Sequence, residues 1–381
     1  MKTTAVERRA ELLRLYTGMP WQSARRRVEA AAPGSLLIPQ PDADQMLLEA
    51  RVMAALAWRR ITTLHPWGIE YVDPRSDRLL IRFGADPVEQ HDPEETQALD
   101  LAEALLPRAD EYGDIKGVPG ARTHVEDGLV VLRVLDTSAS VTLLGLDPDD
   151  WLRAVDVQDR QMGAYGMTPC HRDMPTRWHP AERPYRRPGR RGTAASAWLT
   201  SGLLRRVGLI RTLGAPLAVT GWLGHHERDG GERWIIDPTF AEGSGTTGHR
   251  RLMALLAAPG WGLPLASVDE HCTCDLPPGY SDQCTTVAAG LAGRPGVLEV
   301  RAIQRHGDRL KRIQELRPAS YAVQQQLALS VPAWVDRWLE HGGSPTSQAG
   351  PRRDQPSLRI THTSRVTADP CPVAPTMSES H

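Results

Sequence analysis

Lysine is nearly missing from this chain. It occurs at Lys2, Lys116 and Lys311, and every other basic residue except histidine is arginine. Phenylalanine is scarcer still, at two residues against eleven tryptophans. With abundant Ala, Gly, Pro and Leu, this is the coding bias of a GC-rich genome. Arginine is therefore the default surface cation, and its abundance alone implies no ligand, although each guanidinium remains suited to bidentate phosphate binding. Long apolar runs are also missing. Nothing reaches the roughly 20 consecutive apolar residues of a membrane helix, so no membrane partner is expected. Cysteine is sparse and odd in number, at five, which argues against a disulfide framework. The opening MKTTAVERRAELL lacks an apolar segment followed by a cleavage site, so no secretory signal is expected and the chain reads as cytoplasmic.

What is present is a core-forming composition and a sorted charge. The 381 residues are 40% hydrophobic and 24% charged, globular values with room for two domains. The net charge is −1, yet residues 61–160 hold nine basic and twenty-one acidic side chains, and residues 161–260 hold fourteen basic and seven acidic ones. Blocks of opposite sign imply either a partner that meets one face, such as another protein at the acidic segment, or two halves that meet each other.

Periodicity predicts an α+β protein. Residues 1–60 form a helical element: two short helices around Gly18-Met19-Pro20, with Leu12, Leu13 and Tyr16 inward, then a helix from the N-cap Asp42 to Arg60 with Met46, Leu47, Val52, Met53 and Leu56 inward. Residues 61–158 form an acidic domain built on an antiparallel β-meander: a hairpin Ile69–Val72 and Leu79–Phe83, a helix Glu94–Leu106, strands Arg122–Val125, Leu129–Leu135 and Val141–Leu146, and a helix from Asp147-Pro148 to Val155. Residues 159–193 read as a basic Pro/Arg-rich linker. An α/β domain with a mixed sheet follows over 194–341. It has helices at Ala195–Leu213, His249–Ala257, Asp282–Leu291, Arg309–Leu316 and Tyr321–His341, and strands at Leu217–Leu223, Trp234–Asp237, Leu265–Val268 and Val297–Ala302. The Ser/Pro/Thr-rich 342–381 reads as a disordered tail.

Two basic constellations suggest DNA or RNA. Residues 177–191 interleave Arg177, Arg183, Arg186, Arg187, Arg190 and Arg191 with Trp178 and Tyr185. Guanidinium groups suit phosphate, the rings suit unpaired bases, and the prolines keep such an arm extended. The competing reading lays this arm on the acidic surface of its own chain. The N-terminal helix pair has the short turn of a helix-turn-helix, with Arg25, Arg26 and Arg27 on its second helix. The string Leu12–Val28 is similar to a short leading element, Leu-x3-Thr-Gly-Met-x4-Ala-x3-Val, of uncharacterised actinomycete proteins, some of them carried on mobile elements. The likeness covers about twenty residues, favours an intracellular actinomycete protein and implies no activity.

A third constellation, His271, Cys272, Cys274 and Cys284, offers three thiolates and an imidazole to a structural zinc; the alternative is small buried hydrophobes. Two enzyme likenesses concern the second half. Trp234–Pro238 followed by Gly243, Gly245 and Gly248 before a helix resembles an N-acetyltransferase core, which implies acetyl-CoA held by the glycine-rich turn. Leu203–Phe240, with His225 or His226 and Asp237, resembles a transglutaminase-like or papain-like core. That family takes its nucleophile from a Cys at the helix start. Leu199–Ser201 hold none, so the likeness implies a catalytically silent module, with Ser201 the nearest substitute. The sequence reading therefore places a nucleic-acid-associated binding protein first and leaves open whether the chain is an enzyme.

Overall fold

The computed structural model describes residues 4–59, 65–84, 97–186, 196–214, 218–225, 232–241, 248–272, 283–291, 294–305, 329–340 and 360–361. Helix α1, Ala5–Thr17, opens with a capping box in which Thr4 and Glu7 exchange backbone hydrogen bonds, and Gly18 closes it at φ 78°. After Met19 and Pro20 comes α2, Trp21–Ala30. Helix α3 spans Ala43–Arg59, and the Asp42 carboxylate accepts from the Gln45 amide as expected of an N-cap.

The hairpin β1, Ile69–Pro74, and β2, Leu79–Phe83, follows. Helix α4, Gln97–Leu105, leads to two short strands, β3, Arg108–Ala109, and β4, Ile115–Lys116. The meander is β5, Ala121–Glu126, β6, Leu129–Val134, and β7, Ser140–Leu144. Its first turn has positive φ at both Asp127 and Gly128, the conformation that matches strand twist. These strands form a sheet in the order β1-β2-β7-β6-β5. All its pairings are antiparallel except β2 with β7, so the meander and the hairpin join through one parallel seam.

Helix α5, Pro148–Ala164, runs nine residues beyond the expected end at Val155. It buries Trp151, Ala154, Val155 and Gln158, a helical stripe that continues until Gly163 and Gly166 supply a stop. Much of the expected linker is therefore ordered. After α5 come β8, Thr168–Pro169, which pairs with β3, then α6, Cys170–Asp173, and a 3-10 turn Pro180–Tyr185.

The second half opens with α7, Ala197–Leu204. The Glu232 carboxylate accepts from the Ser196 amide at 2.9 Å and holds the start of this helix. The single long helix expected over 195–213 is instead α7 plus a 3-10 segment, Val207–Leu213. The chain tightens there because Gly208 meets the end of α1: a Cβ on Gly208 would stand 2.3 Å from the Gly18 nitrogen.

Strands β9, Ala218–His225, and β10, Glu232–Ala241, precede α8, Gly248–Leu256. Then come β11, Leu265–Cys272, β12, Gln283–Gly290, and β13, Val297–Arg305. Expected as a helix, β12 is a strand. Thr285, Thr286 and Val287 favour extended backbone, and burial alternates, with Thr286 and Ala288 inward. Helix α9, Ala333–Glu340, starts only after Pro332, which breaks the longer helix expected through that point. Within the tail read as disordered, β14, Ile360–Thr361, pairs parallel with Val268 and Asp269. The helix expected over 309–316 lies outside the described residues. The sheet order is β14-β11-β12-β13-β10-β9, mixed through the parallel β10–β13 pair.

With both helices and mixed sheets, the chain is an α+β protein. One hydrophobic cluster runs through both halves, from Ala10 in α1 to Val335 in α9. Helix α1 lies inside it: Leu12, Leu13, Leu15 and Tyr16 are buried, and the Tyr16 hydroxyl donates to the Leu255 carbonyl of α8 at 2.5 Å. Among the described residues, no helix is long and apolar enough to cross a membrane.

Candidate functional site

Ten of the fifteen residues of the Arg/aromatic stretch, 177–186, are described, and they are pinned to the acidic sheet, as the competing reading has it, rather than forming an extended free arm. Gly120, at φ +77°, lets the Trp178 ring lie against the backbone; a Cβ there would sit 2.3 Å from the ring. The Trp178 indole nitrogen donates to Asp136 at 3.0 Å, and the side chain is buried. Glu182 is fully buried. It accepts from the Gly120 amide at 2.7 Å, from Arg122 at 2.9 and 3.2 Å, and from the His179 amide at 3.0 Å. Arg122 also donates to the Arg177 and Met174 carbonyls, and Arg51 donates to the Tyr185 carbonyl at 2.6 Å.

The two aromatic side chains are therefore not equivalent. Trp178 is taken into the core, and Tyr185 is half-buried. Arg177 and Arg183 are exposed with no carboxylate partner among the described residues, and Arg186 pairs with Asp136 at 2.9 Å. Arg187, Arg190 and Arg191 lie outside the described residues.

On α2, Arg27 turns inward to Asp73 and to the Leu37 and Pro74 carbonyls. Burial, followed by repulsion from Arg75 and Arg205, lowers its pKa to about 10. Arg25 pairs with Glu29 one turn on at 2.8 Å, and Arg26 is exposed. Of the expected basic face, Arg25 and Arg26 look outward beside Gln22.

The enzyme-like constellations are spread apart. Gly243 and Gly245 lie outside the described residues. Gly248 starts α8 against the Leu213 carbonyl, which a Cβ would meet at 2.7 Å, so this glycine serves helix packing. The parallel strands β10 and β13 are paired on both sides of Pro238, from Arg233–Val297 to Ala241–Arg305, and are not splayed to admit a cofactor. Across β9–β10, Asp237 stands opposite Thr220, whereas His225 stands opposite Glu232, five positions away. That is about 17 Å along the strand. His226 lies outside the described residues. Ser201 donates instead to Glu49, at 2.6 Å.

The Cys/His group is partly assembled. Cys272 and Cys284 are direct cross-strand partners, in the row that continues to the buried Ala302. His271 precedes Cys272 in the same strand and pairs with Thr285. Cys274 lies outside the described residues.

The best-organised polar centre was not foreseen. Glu49 on α3 is fully buried and receives four hydrogen bonds: Arg205 Nε at 2.7 Å and Nη2 at 2.6 Å, Ser201 Oγ at 2.6 Å and Gln45 Nε2 at 2.7 Å. Gln45 in turn exchanges both backbone hydrogen bonds with Ser140 of β7, at 2.8 and 3.0 Å, and Arg205 donates to the Pro39 carbonyl at 2.6 Å. Every acceptor site of the carboxylate is filled, so it is no base for Ser201. The network ties α3, α7 and the acidic sheet together. Its signal was in the sequence: Gln45 and Glu49 fall at helical spacing on the same stripe as Val52 and Leu56.

Beside this centre, α7 and the segments 36–41 and 260–264 enclose a cleft of about 190 Å³. Its walls are largely apolar, with Ile38, Met46, Trp198 and Leu263, and Arg205, Arg206 and Arg294 also line it. Arg206 donates to three carbonyls, those of Trp261 at 2.7 Å, Gly202 at 3.1 Å and Gly262 at 2.9 Å. Burial lowers its pKa to about 10. Arg294 stacks on the Trp198 ring at 5.7 Å, and the Trp198 indole nitrogen donates to the Pro295 carbonyl at 2.7 Å.

No family model, curated protein or solved structure matches the chain.

Proposed function

We propose that the chain is a nucleic-acid-associated binding protein whose phosphate contacts are guanidinium groups held on a fixed scaffold. The observation that carries this reading is the pairing of opposites in 177–186. Trp178 and Glu182 anchor the peptide in the core, while Arg177 and Arg183 stand exposed beside them without a carboxylate partner among the described residues. Anchoring lowers the entropy lost when such side chains meet a phosphate backbone. Arg186 adds a third group, because its exposed pair with Asp136 is of the kind worth at most about 1 kcal/mol and yields readily to phosphate. Arg25 and Arg26 supply further outward cations on α2. With Trp178 buried, recognition rests on phosphate rather than on base stacking, so sequence-tolerant binding is expected.

The test is binding to generic single- and double-stranded DNA and RNA by fluorescence anisotropy at about 50 and 200 mM salt. Affinity should fall steeply with salt. Arg177→Ala with Arg183→Ala should reduce the slope of log affinity against log salt by about 2. Absence of binding at about 50 mM salt, or a slope unchanged in the double variant, would overturn the proposal.

A further inference from the structure

We propose that the cleft between α7 and the segments 36–41 and 260–264 is a binding site for a small organic anion, an aromatic or branched carboxylate, with its head at Arg206 and Arg294 and its body against Trp198.

The charge distribution at the cleft carries this. Three guanidinium groups line it, and only one of them has a carboxylate. Arg205 is neutralised by Glu49 and gives a further N–H to the Pro39 carbonyl. Among the described residues, Arg206 is held by backbone carbonyls alone. Carbonyl dipoles orient a guanidinium but do not cancel its charge, and three bonds leave two of its five N–H donors unassigned. Arg294 has only the Trp198 ring as a side-chain partner among the described residues. Two cations with no carboxylate partner among the described residues line one apolar cleft, an incomplete electrostatic arrangement. A carboxylate supplies the missing negative charge.

The shape limits the ligand further. About 190 Å³ with apolar walls at Ile38, Met46 and Leu263 suits a body of single-ring size, not a nucleotide. Trp198 is fixed as a flat wall by its bond to the Pro295 carbonyl, and Arg294 already lies over its ring. A planar or branched apolar group beside the ring, with its anionic head toward the two guanidinium groups, uses every wall of the site. The lowered pKa of Arg206 agrees with this, since an adjacent anion would return it toward its ordinary value.

The experiment is titration of the full chain with phenylacetate, calorimetrically and by ligand-observed NMR, with phenethylamine as the cationic counterpart of equal shape. Phenylacetate should bind and phenethylamine should not. Arg294→Glu, an exposed position outside the core, should weaken phenylacetate binding by about 10-fold or more. Arg206→Gln should do the same, with its folding checked by circular dichroism; if it fails to fold, Arg294→Glu and Trp198→Ala carry the test. No phenylacetate binding by the unmodified protein at about 10 mM would overturn the proposal, as would equal binding of the amine or an affinity unchanged in Arg294→Glu. The site is independent of the nucleic-acid reading, because neither Arg177 nor Arg183 lines it.

Discussion

Arg205, the C-cap of α7, grips Glu49 of α3 through two hydrogen bonds, of 2.6 and 2.7 Å, with both side chains removed from solvent. Removing one member leaves an uncompensated charge in the core, so Arg205→Met or Glu49→Leu should each cost about 3–5 kcal/mol. Replacing both with apolar residues of similar volume removes the stranded charge. The double variant should therefore recover a large part of that loss, apart from the bonds to Ser201, Gln45 and Pro39. Urea unfolding of the two single variants and the double variant forms the cycle that checks this. Losses that simply add would show that the two charges are not coupled.

Trp178 holds the basic stretch to the sheet. Trp178→Ala should cost about 3–5 kcal/mol, through the lost ring and the cavity over Gly120. It should also expose the peptide bond after Arg177 to trypsin, which the intact protein should resist there. Arg186→Ala serves as the contrast: its ion pair with Asp136 has both members more than half exposed, at 60% and 54%. That variant should stay within about 0.5 kcal/mol of the original and keep its resistance. Rapid cleavage of the unaltered chain after Arg177 would show the stretch to be unpinned.

How far the sequence could be read varies with the kind of signal. Helix ends were legible where caps and glycines mark them: Asp42 and Gly18 stand where the structure uses them, and the Asp127-Gly128 turn sits between β5 and β6. The α+β class followed from periodicity, as did the hairpin, the meander and the strands β9, β10, β11 and β13; β12, β14 and the small sheet of β3, β4 and β8 did not. Reading failed where a long-range contact decides. Residues 282–291 look helical in isolation, but pairing with β11 and β13 makes 283–290 a strand. Residues 195–213 cannot stay one helix because Gly208 must approach Gly18. The charge blocks pointed to a contact between basic and acidic segments, and 177–186 does lie on the acidic sheet. Its strongest anchor, however, is the acidic Glu182 within the basic stretch, bonded to Arg122 within the acidic one. Net charge by block does not reveal such inversions. Ser201 was noticed for the wrong partner; Glu49, on a distant helix, could be found only as a polar residue on an apolar stripe.

Gly208 is expected to be intolerant of any side chain. A Cβ would stand 2.3 Å from the Gly18 nitrogen and 2.7 Å from the Leu15 carbonyl oxygen, both of them backbone atoms that cannot rotate away. Gly208→Ala must therefore separate α1 from the 3-10 segment 207–213 and disturb the Tyr16–Leu255 bond beside it. A loss of about 1–3 kcal/mol is expected in thermal unfolding. Gly34→Ala is the control for space, since nothing lies near a Cβ there; its φ of 78° still carries the smaller, purely local cost of about 1–2 kcal/mol.

Cys170 should be chemically silent in the folded protein. It is fully buried, and burial, followed by the nearby Glu182 charge, pushes its pKa up to about 12. At neutral pH the thiolate fraction is negligible and the sulfur has no route to solvent. Iodoacetamide followed by peptide mass mapping should leave Cys170 unmodified in the native chain and modify it in urea. Modification of Cys170 under native conditions would show that α6 opens locally.

Acid sensitivity should be set in part by Asp159. This carboxylate is opposed by its own burial, but hydrogen bonding and charge from His171, together with Arg172 and Arg108, outweigh that and hold its pKa below the ordinary 3.8. A carboxylate whose pKa is lower folded than unfolded adds stability that is fully present above the unfolded value and is lost as pH falls through the folded one. The contribution should thus be complete at neutral pH, begin to decline near pH 3.8 and vanish below the folded pKa. Asp159→Asn should lower stability at neutral pH, and the gap between variant and original should close in that acid window. Chemical unfolding measured at a series of pH values from about 7 down to 2 gives both curves. A gap that stayed constant across the range would mean that Asp159 acts through shape and neutral hydrogen bonding rather than through its charge on Arg108, His171 and Arg172.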